Sequence, residues 1–271
     1  MILELKNIEK SFGEKKVLTG VSFKAEGGKA FGLLGRNGAG KTTSIRILMD
    51  VFPANSGEVL MDGKPIDYRK VGIGYLPEER GLYPKKTIID QLTYFAELKG
   101  MSHKAAVKSV DYWLERLGMM EYRNKKLDTL SKGNQQKIQL ISTLIHDPQL
   151  IFLDEPFSGL DPVNTEVLRG LLQELIEEKR HIVMSSHQMS TVEDYCKDIL
   201  ILHQGQTKLC GNLQEIKRGY GHTNLVISCD ANIEETAKQY GLEVLEKRAN
   251  ETEYRIHGDE MAHSLLAHML S

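Results

Sequence analysis

The sequence has few of the residues that mark several classes of protein. Its three cysteines, Cys196, Cys210 and Cys229, are an odd number without C-x-x-C spacing, which indicates neither a disulfide framework nor a zinc site. No apolar run approaches the roughly 20 residues that a membrane-spanning helix needs, and the N-terminus lacks the apolar core of a signal peptide. We therefore expect reduced cytosolic thiols and a soluble chain that reaches a membrane only through a partner.

An excess of charge of one sign is also absent. Charged residues make up 27% of the chain, and the formal net charge of -2 gives no long-range field that would favour nucleic acid or an acidic membrane surface. Internal repeats and low-complexity segments are absent too, and 271 residues suffice for one large α/β domain or for a large domain with a small one. The composition predicts an ordinary globular protein and gives no support for a nucleic-acid partner.

The sequence does contain a phosphate-binding pattern. Residues 35–42 read GRNGAGKT and satisfy G-x-x-x-x-G-K-[ST] in full, between an apolar run of strand type at 30–34 and helical spacing at 42–50. The glycines let backbone N–H groups converge on phosphate oxygens, Lys41 adds a full charge, and the Thr42 hydroxyl suits Mg²⁺. A glycine-rich turn without a ligand is the alternative. The residues expected to bind the nucleotide phosphates are Gly35, Arg36, Asn37, Gly38, Ala39, Gly40, Lys41, Thr42 and Thr43.

Two carboxylates follow a second apolar run. Residues 149–153 are typical of a strand buried on both faces of a parallel sheet, and Asp154 and Glu155 come directly after them. Ligands bind at the carboxyl edge of such sheets, so one carboxylate can reach a metal and the other an attacking water. We expect Asp154 to bind Mg²⁺ and Glu155 to act on the water. A solvated strand end is the alternative.

The pattern along the chain predicts the fold class and the domains. Residues 1–30 alternate as short strands do, residues 87–147 turn helical, and strands then alternate with helices up to residue 203. A composition shift at 218–221 separates a tail with strands and helices of its own. We expect an α/β fold with a mostly parallel sheet, a first domain at 1–220 with a helical subdomain at about 87–147, and a small α+β domain at 221–271.

Further motifs stand in order around the first two. Residues 130–136 read LSKGNQQ before the acidic strand, residues 158–161 after it read SGLD, and His187 follows the strand that ends in two serines. The five motifs together resemble those of the ATP-binding cassette (ABC) ATPases, the nucleotide-binding subunits of ABC transporters, over about residues 1–215. Residues 75–83 resemble the bacterial subgroup typified by sodium-efflux exporters, which also has a C-terminal extension.

This resemblance implies a fold, a substrate and partners. The fold is a P-loop NTPase cassette of the ABC type with an N-terminal antiparallel β subdomain. ATP and Mg²⁺ are expected to bind, and a second copy of the chain is expected to enclose two ATP molecules with the first. The other partner is a separately encoded integral membrane permease, which holds the ATPase at the cytoplasmic face of the membrane. The pair would export sodium or another small solute, with residues 80–95 as the docking surface.

The resemblance also assigns roles to residues. His187, which alone would more often be an ordinary polar residue, is expected to contact the γ-phosphate, with Glu155 as the base. Separately, Phe12 precedes the phosphate loop and either stacks on a purine ring or packs in the core. The signature residues expected to face the ATP of the other subunit are Ser131, Lys132, Gly133, Asn134 and Gln135. The residues expected in the dimer loop are Ser158, Gly159, Leu160 and Asp161.

The chain departs from the family pattern at three positions. Glu78 stands where the family usually carries glutamine, and Lys132 and Asn134 replace a glycine and a glutamine of the signature. A carboxylate at 78 can still reach Mg²⁺, so the expected metal-binding residues are Thr42, Asp154 and Glu78.

Two other functions stay open. A soluble ABC ATPase acting on nucleic acid or ribosomes usually carries two cassettes or a coiled-coil insertion, and a module that binds ATP without turnover is opposed by Glu155 and His187.

Overall fold

The computed structural model describes residues 1–79, 81–221, 223–229, 234–248 and 251–269. The chain divides into two units, Met1–Gly211 and Asn212–Ser271. The strands of the first unit are β1 (Ile2–Phe12), β2 (Lys15–Glu26), β3 (Lys29–Leu34), β4 (Ser56–Met61), β5 (Lys64–Pro65), β6 (Ile73–Leu76), β7 (Leu150–Asp154), β8 (His181–Ser186), β9 (Cys196–His203) and β10 (Gln206–Asn212). Its helices are α1 (Lys41–Leu48), α2 (Ile88–Leu98), α3 (His103–Arg116), α4 (Lys132–Leu144), α5 (Pro162–Glu177) and α6 (Met189–Tyr195).

An antiparallel sheet with the order β2-β1-β4-β5 opens the first unit. Tight turns join its neighbouring strands at Gly13, where φ is 59°, and at Asp62 and Gly63, where φ is 49° and 74°. Leu3 and Leu5 are buried, as the alternation of the sequence predicts for a strand with one face on the core. The predicted N-terminal antiparallel subdomain is thus confirmed.

A second sheet with the order β10-β9-β3-β8-β7-β6 forms the centre of the unit. The pairs β9–β3, β3–β8, β8–β7 and β7–β6 are all parallel. Every residue of β7 and β8 is buried, which explains why these strands read as continuous apolar runs. Because the paired strands run the same way, the residues after β3, β7 and β8 meet at one edge of the sheet.

The helices α2, α3 and α4 lie in the interval predicted to be helical. Each begins at a hydroxyl residue whose side chain accepts a hydrogen bond from a backbone N–H of the first turn: Thr87 from Asp90, Ser102 from Ala105 and Ser131 from Asn134. Their apolar faces are buried, as at Leu92 and Val110. The caps and the apolar spacing explain why this interval was predictable.

The second unit contains α7 (Leu213–Tyr220), β11 (Asn224–Ile227), α8 (Glu234–Gln239), β12 (Glu243–Lys247), β13 (Thr252–Arg255) and α9 (Asp259–Met269). Its antiparallel sheet has the order β11-β13-β12, and Tyr254 on the central strand is buried in a small apolar core. The α+β prediction is confirmed. The unit begins at Asn212, before the boundary at 220/221, because the composition shift marks the end of α7 and not its start.

In the part of the chain that the structure describes, β10 and α7 lie where the sequence predicts no strand or helix. The residues of β10 are mostly exposed, so the strand has no apolar alternation to reveal it. Among the described residues, no helix is both long enough and apolar enough to cross a membrane.

Candidate active site

The loop at residues 35–40 joins β3 to α1 and depends on its glycines. Gly35 and Gly40 adopt φ values of 156° and 111°, where L side chains are rarely found. A Cβ on Gly35 would lie 2.6 Å from the Leu202 carbonyl oxygen, and one on Gly40 would lie 2.6 Å from a Leu18 methyl carbon. The glycines therefore allow the loop to curl closely over its neighbours, with free N–H groups at the start of α1.

Lys41 is the first residue of α1, and its side chain is buried. Its Nζ donates a hydrogen bond to the Gly35 carbonyl oxygen at 2.7 Å and lies 3.2 Å from Glu155 Oε1. The ammonium is thus held under the loop that is expected to bind phosphate. A triphosphate entering the loop would meet this charge directly.

The carboxylate of Asp154 lies beside the loop at the end of β7. Its Oδ2 accepts a hydrogen bond from the Thr42 hydroxyl at 2.7 Å, and its Oδ1 accepts a short hydrogen bond from the Ser185 hydroxyl. The Tyr75 hydroxyl lies 3.5 Å from Oδ2, and burial together with the Asp154 charge raises the pKa of Tyr75 to about 12. Thr42 and Asp154 present the hard oxygen donors that Mg²⁺ prefers, so the pair fits a magnesium ion bound together with phosphates.

Glu155 is turned away from the strand by its backbone. Its φ is 50°, which is uncommon for a residue with a side chain and directs the carboxylate toward the phosphate loop. The Glu155 amide donates to the Ser185 carbonyl oxygen at 3.2 Å, which anchors the turn. Oε2 lies 2.9 Å from His187 Nδ1, and Oε1 accepts no hydrogen bond among the described residues, so the charge of Lys41 compensates it. The carboxylate therefore lies between a lysine and a histidine.

A cleft of about 610 Å³ opens beside Lys41, Thr42 and Asp154, and neither Glu155 nor His187 lines it. Phe12 contributes to its wall with a side chain that is 50% exposed, and this ring makes an edge-on contact with Phe52 at 5.4 Å between centroids. Glu78 also reaches the wall. The other predicted residues that line the cleft are Arg36, Asn37, Gly38, Gly40, Lys41, Thr42, Thr43 and Asp154. The cleft is also lined by residues for which the sequence predicts no role: Lys15, Lys16, Val17 and Gln204.

A smaller cavity of about 140 Å³ adjoins Glu155 and His187. Ser158 and Gly159 of the expected dimer loop also line it, whereas Asp161 caps α5 by accepting a hydrogen bond from the Asn164 amide at 2.9 Å. Asp161 thereby holds the end of this loop to a helix. The Ser185 contacts were missed by the sequence analysis, although a polar residue at the end of a buried strand was a usable signal.

The signature residues 131–135 do not line the cleft of their own chain. Ser131 caps α4 by accepting a hydrogen bond from the Asn134 amide at 3.3 Å, and Lys132 begins a first turn that contains no acidic residue. Gly133 is packed so tightly that a Cβ there would lie 2.3 Å from the Asn164 side-chain amide nitrogen. The start of α4, with the positive charge of Lys132 and the positive end of the helix dipole, therefore lies outside the cleft described above.

A phosphate loop between a parallel strand and a helix, with a buried lysine and an acidic neighbouring strand end, defines a P-loop nucleoside triphosphatase. The family model described as ABC transporter matches residues 18–158 of this chain. The chain belongs to the ATP-binding ATPases of ABC transporters, as the resemblance in its motifs predicts.

Individual relatives agree with this assignment. The uncharacterized ABC transporter ATP-binding protein YhaQ of Bacillus subtilis is 42% identical over 267 residues, which are 98% of this chain and 90% of that protein. The Nod factor export ATP-binding protein I of Burkholderia lata is 32% identical over 208 residues, 75% of this chain and 68% of that protein.

Solved structures show the same fold. A structure described as the ATP-binding subunit of an ABC transporter matches with a TM-score of 0.73 at 28% identity, covering 81% of this chain and 93% of that one. The bacterial ABC transporter cassette MJ0796, described as a dimeric structure, matches with a TM-score of 0.69 at 25% identity, covering 78% of this chain and 98% of that one.

Proposed function

We propose that this chain hydrolyses ATP with Mg²⁺ to power a separately encoded membrane permease of an exporter. The observation that carries the proposal is the position of the Glu155 carboxylate, which is buried between Lys41 and His187 beside Asp154. A carboxylate in this place can accept a proton from a water that attacks the γ-phosphorus, while His187 holds the water and the phosphate in position.

The other site residues supply binding and charge stabilisation. Lys41 and the N–H groups of residues 36–43 hold the phosphates, and Phe12 offers an exposed ring on which the purine can stack. Thr42 and Asp154, with Glu78 at the cleft wall, are the residues that would hold Mg²⁺. The ion, when bound, neutralises charge on the phosphate oxygens and so favours displacement at the γ-phosphorus.

A second copy of the chain completes the site in this proposal. The start of α4, with the cap residue Ser131 and the cation of Lys132, has free N–H groups and lies outside its own cleft. Such a helix start attracts an anion, and the phosphates bound to a second copy supply one. Residues 158–161 lie next to Glu155 and would meet the same partner surface. The dimeric cassette among the structural relatives supports this arrangement.

The permease is proposed to dock in a groove between the central sheet and the helices α2 and α4. The groove has a volume of about 1120 Å³, and its lining includes the apolar side chains of Met49, Leu82, Phe95 and Leu98. The exposed ring of Tyr83 stacks on Phe95 at 5.9 Å. The described part of the expected docking segment, 81–95, therefore contributes to the groove, whereas Arg80 lies outside the described residues.

We also propose a direction of transport and a solute. The export protein of Burkholderia among the relatives supports export, and the resemblance of residues 75–83 to the sodium-efflux subgroup supports sodium or another small solute. A permease partner would hold the chain at the cytoplasmic face of the membrane.

Copurification of the permease from native membranes tests the proposal. Leu82→Asp with Tyr83→Asp should abolish copurification of an integral membrane protein and leave ATP binding unchanged. Met120→Asp, at an exposed apolar residue in the same helical region, is the control and should copurify as the wild type does. Undiminished copurification of the double variant contradicts the docking surface, and the absence of any integral partner from the wild-type sample contradicts the transporter function.

A further inference from the structure

A buried amide lies in the middle of the signature helix α4. The Gln139 side chain is 2% exposed, and its Nε2 donates hydrogen bonds to the carbonyl oxygens of Pro77 and Glu79, both at 3.1 Å. Because carbonyl oxygens only accept, these two contacts fix which end of the amide faces the loop. Gln139 therefore binds the backbone on both sides of Glu78.

The same helix holds the strand that leads into this loop. The Thr143 hydroxyl lies 3.1 Å from the Tyr75 carbonyl oxygen, and in the turn that follows the helix His146 Nε2 lies 2.9 Å from the Ile73 carbonyl oxygen. A Cβ on Gly74 would lie 2.5 Å from the Thr143 carbonyl oxygen, so the helix approaches β6 as closely as a glycine permits. The segment from Ile73 to Glu79 is thus held against α4 and the turn after it at several backbone positions.

Glu78 connects this helix to the nucleotide cleft. It lies at the wall of the cleft that Thr42 and Asp154 also line, while its backbone neighbours are held by Gln139. The helix itself begins beside Ser131, eight residues before Gln139 and hence about 12 Å along the axis. The helix α4 therefore contains the signature residues at its start and contacts the backbone neighbours of Glu78 at Gln139.

We propose that Gln139 is a positioning residue that couples the signature helix to Glu78. When the start of α4 engages the phosphates bound to a second copy, Gln139 carries the displacement of the helix to the loop and sets the reach of the Glu78 carboxylate toward Mg²⁺ in the chain's own cleft. This inference rests on the proposed function, which places the signature against the partner's ATP and Glu78 at the metal.

A double-mutant cycle on ATP hydrolysis tests the coupling. Gln139→Met keeps the length of the side chain but removes both donors, and it should lower kcat about tenfold and weaken Mg²⁺ binding, measured by calorimetry with a non-hydrolysable ATP analogue. In a Glu78→Gln background the same change should have almost no further effect on either quantity, because Gln139 acts through Glu78. Ser142→Ala is the matched control, since its hydroxyl donates only to the Gln139 carbonyl oxygen of the same helix at 2.7 Å.

The outcomes separate the coupling from a merely structural role. Losses that multiply in the double variant, or an unchanged Mg²⁺ affinity in Gln139→Met, overturn the inference. Gln139→Asn is a second variant in case Gln139→Met fails to fold. It keeps the amide but is too short to reach both carbonyl oxygens, so it should lower kcat less than Gln139→Met does. Combined with Glu78→Gln, it should again add almost no further loss. A wild-type protein without ATP turnover overturns the proposed function as well, whereas wild-type turnover with multiplicative losses overturns the coupling alone.

Discussion

The Lys41 ammonium lies 3.2 Å from the Glu155 carboxylate, and both side chains are almost fully buried. Each charge thus compensates the other. In the proposed function, a bound triphosphate would compete with Glu155 for Lys41 and so free the carboxylate for the water. The pair would then contribute to stability and to catalysis.

Lys41→Met removes the ammonium that faces Oε1 of the buried Glu155 carboxylate. We expect the free energy of unfolding, measured with urea, to fall by about 3 kcal/mol. In a Glu155→Gln background the same change should cost about 1 kcal/mol or less, because position 155 then carries no charge opposite residue 41. Equal losses in both backgrounds would show that the ion pair does not contribute to stability.

Asp154→Asn removes the charge that suits a divalent cation but keeps the size of the side chain. The Mg²⁺ concentration for half-maximal ATP hydrolysis should rise about tenfold or more. Glu166→Gln, at an exposed carboxylate that pairs with Arg169 at 3.3 Å, is the control and should leave the Mg²⁺ dependence unchanged. An unaltered Mg²⁺ titration of Asp154→Asn contradicts its assignment as a metal ligand.

Gly40→Ala forces a Cβ into a backbone with φ of 111° and against Leu18. The loop must shift, so ATP binding measured by calorimetry should weaken by about tenfold or more. Gly170→Ala in α5 is the matched control because a Cβ there meets nothing within 4 Å. It should stabilise the protein by about 0.5–1 kcal/mol without changing ATP affinity. A wild-type affinity of Gly40→Ala for ATP would contradict the conclusion that the loop has no room for a side chain at residue 40.

Stability should depend on pH through His146. Burial lowers the pKa of this histidine from its ordinary value of 6.5. Because the folded pKa lies below the unfolded one, the unfolded chain binds more protons between the two values. The stabilising contribution is therefore complete above about pH 6.5 and is lost as the pH falls through that window. Urea unfolding from pH 8 to pH 5 should show this loss, and His146→Gln should reduce it; an equal slope in the variant contradicts the assignment.

The parts of the fold that the sequence predicts are those fixed by local pattern. The phosphate loop can be predicted because its conformation depends on the spacing of its own glycines and Lys41. The helix α4 can be predicted because the capping residue Ser131 precedes apolar residues at helical spacing. Asp154 and Glu155 are readable because they end a continuous apolar strand. In each case the residues that decide the structure are neighbours in the chain.

The contacts that sequence reasoning missed depend on the order of strands in the sheet. Ser185 reaches Asp154 because β8 lies between β3 and β7, and sequence order does not determine that neighbourhood. The Gln139 contacts likewise join residues about 60 positions apart. β10 was missed because its exposed residues show no alternation. Side chains that act through tertiary contacts are therefore visible only in the structure.

The central claim is that ATP closes two copies of this chain around shared sites in which Glu155 is the base. Light scattering of Glu155→Gln with Mg²⁺ and ATP measures this most directly. The account predicts twice the 30.6 kDa chain mass with ATP, the single mass without it, negligible ATP turnover, and loss of the dimer on adding Ser131→Arg. A Glu155→Gln protein that stays at the single mass with ATP, or that hydrolyses ATP at the wild-type rate, contradicts the account.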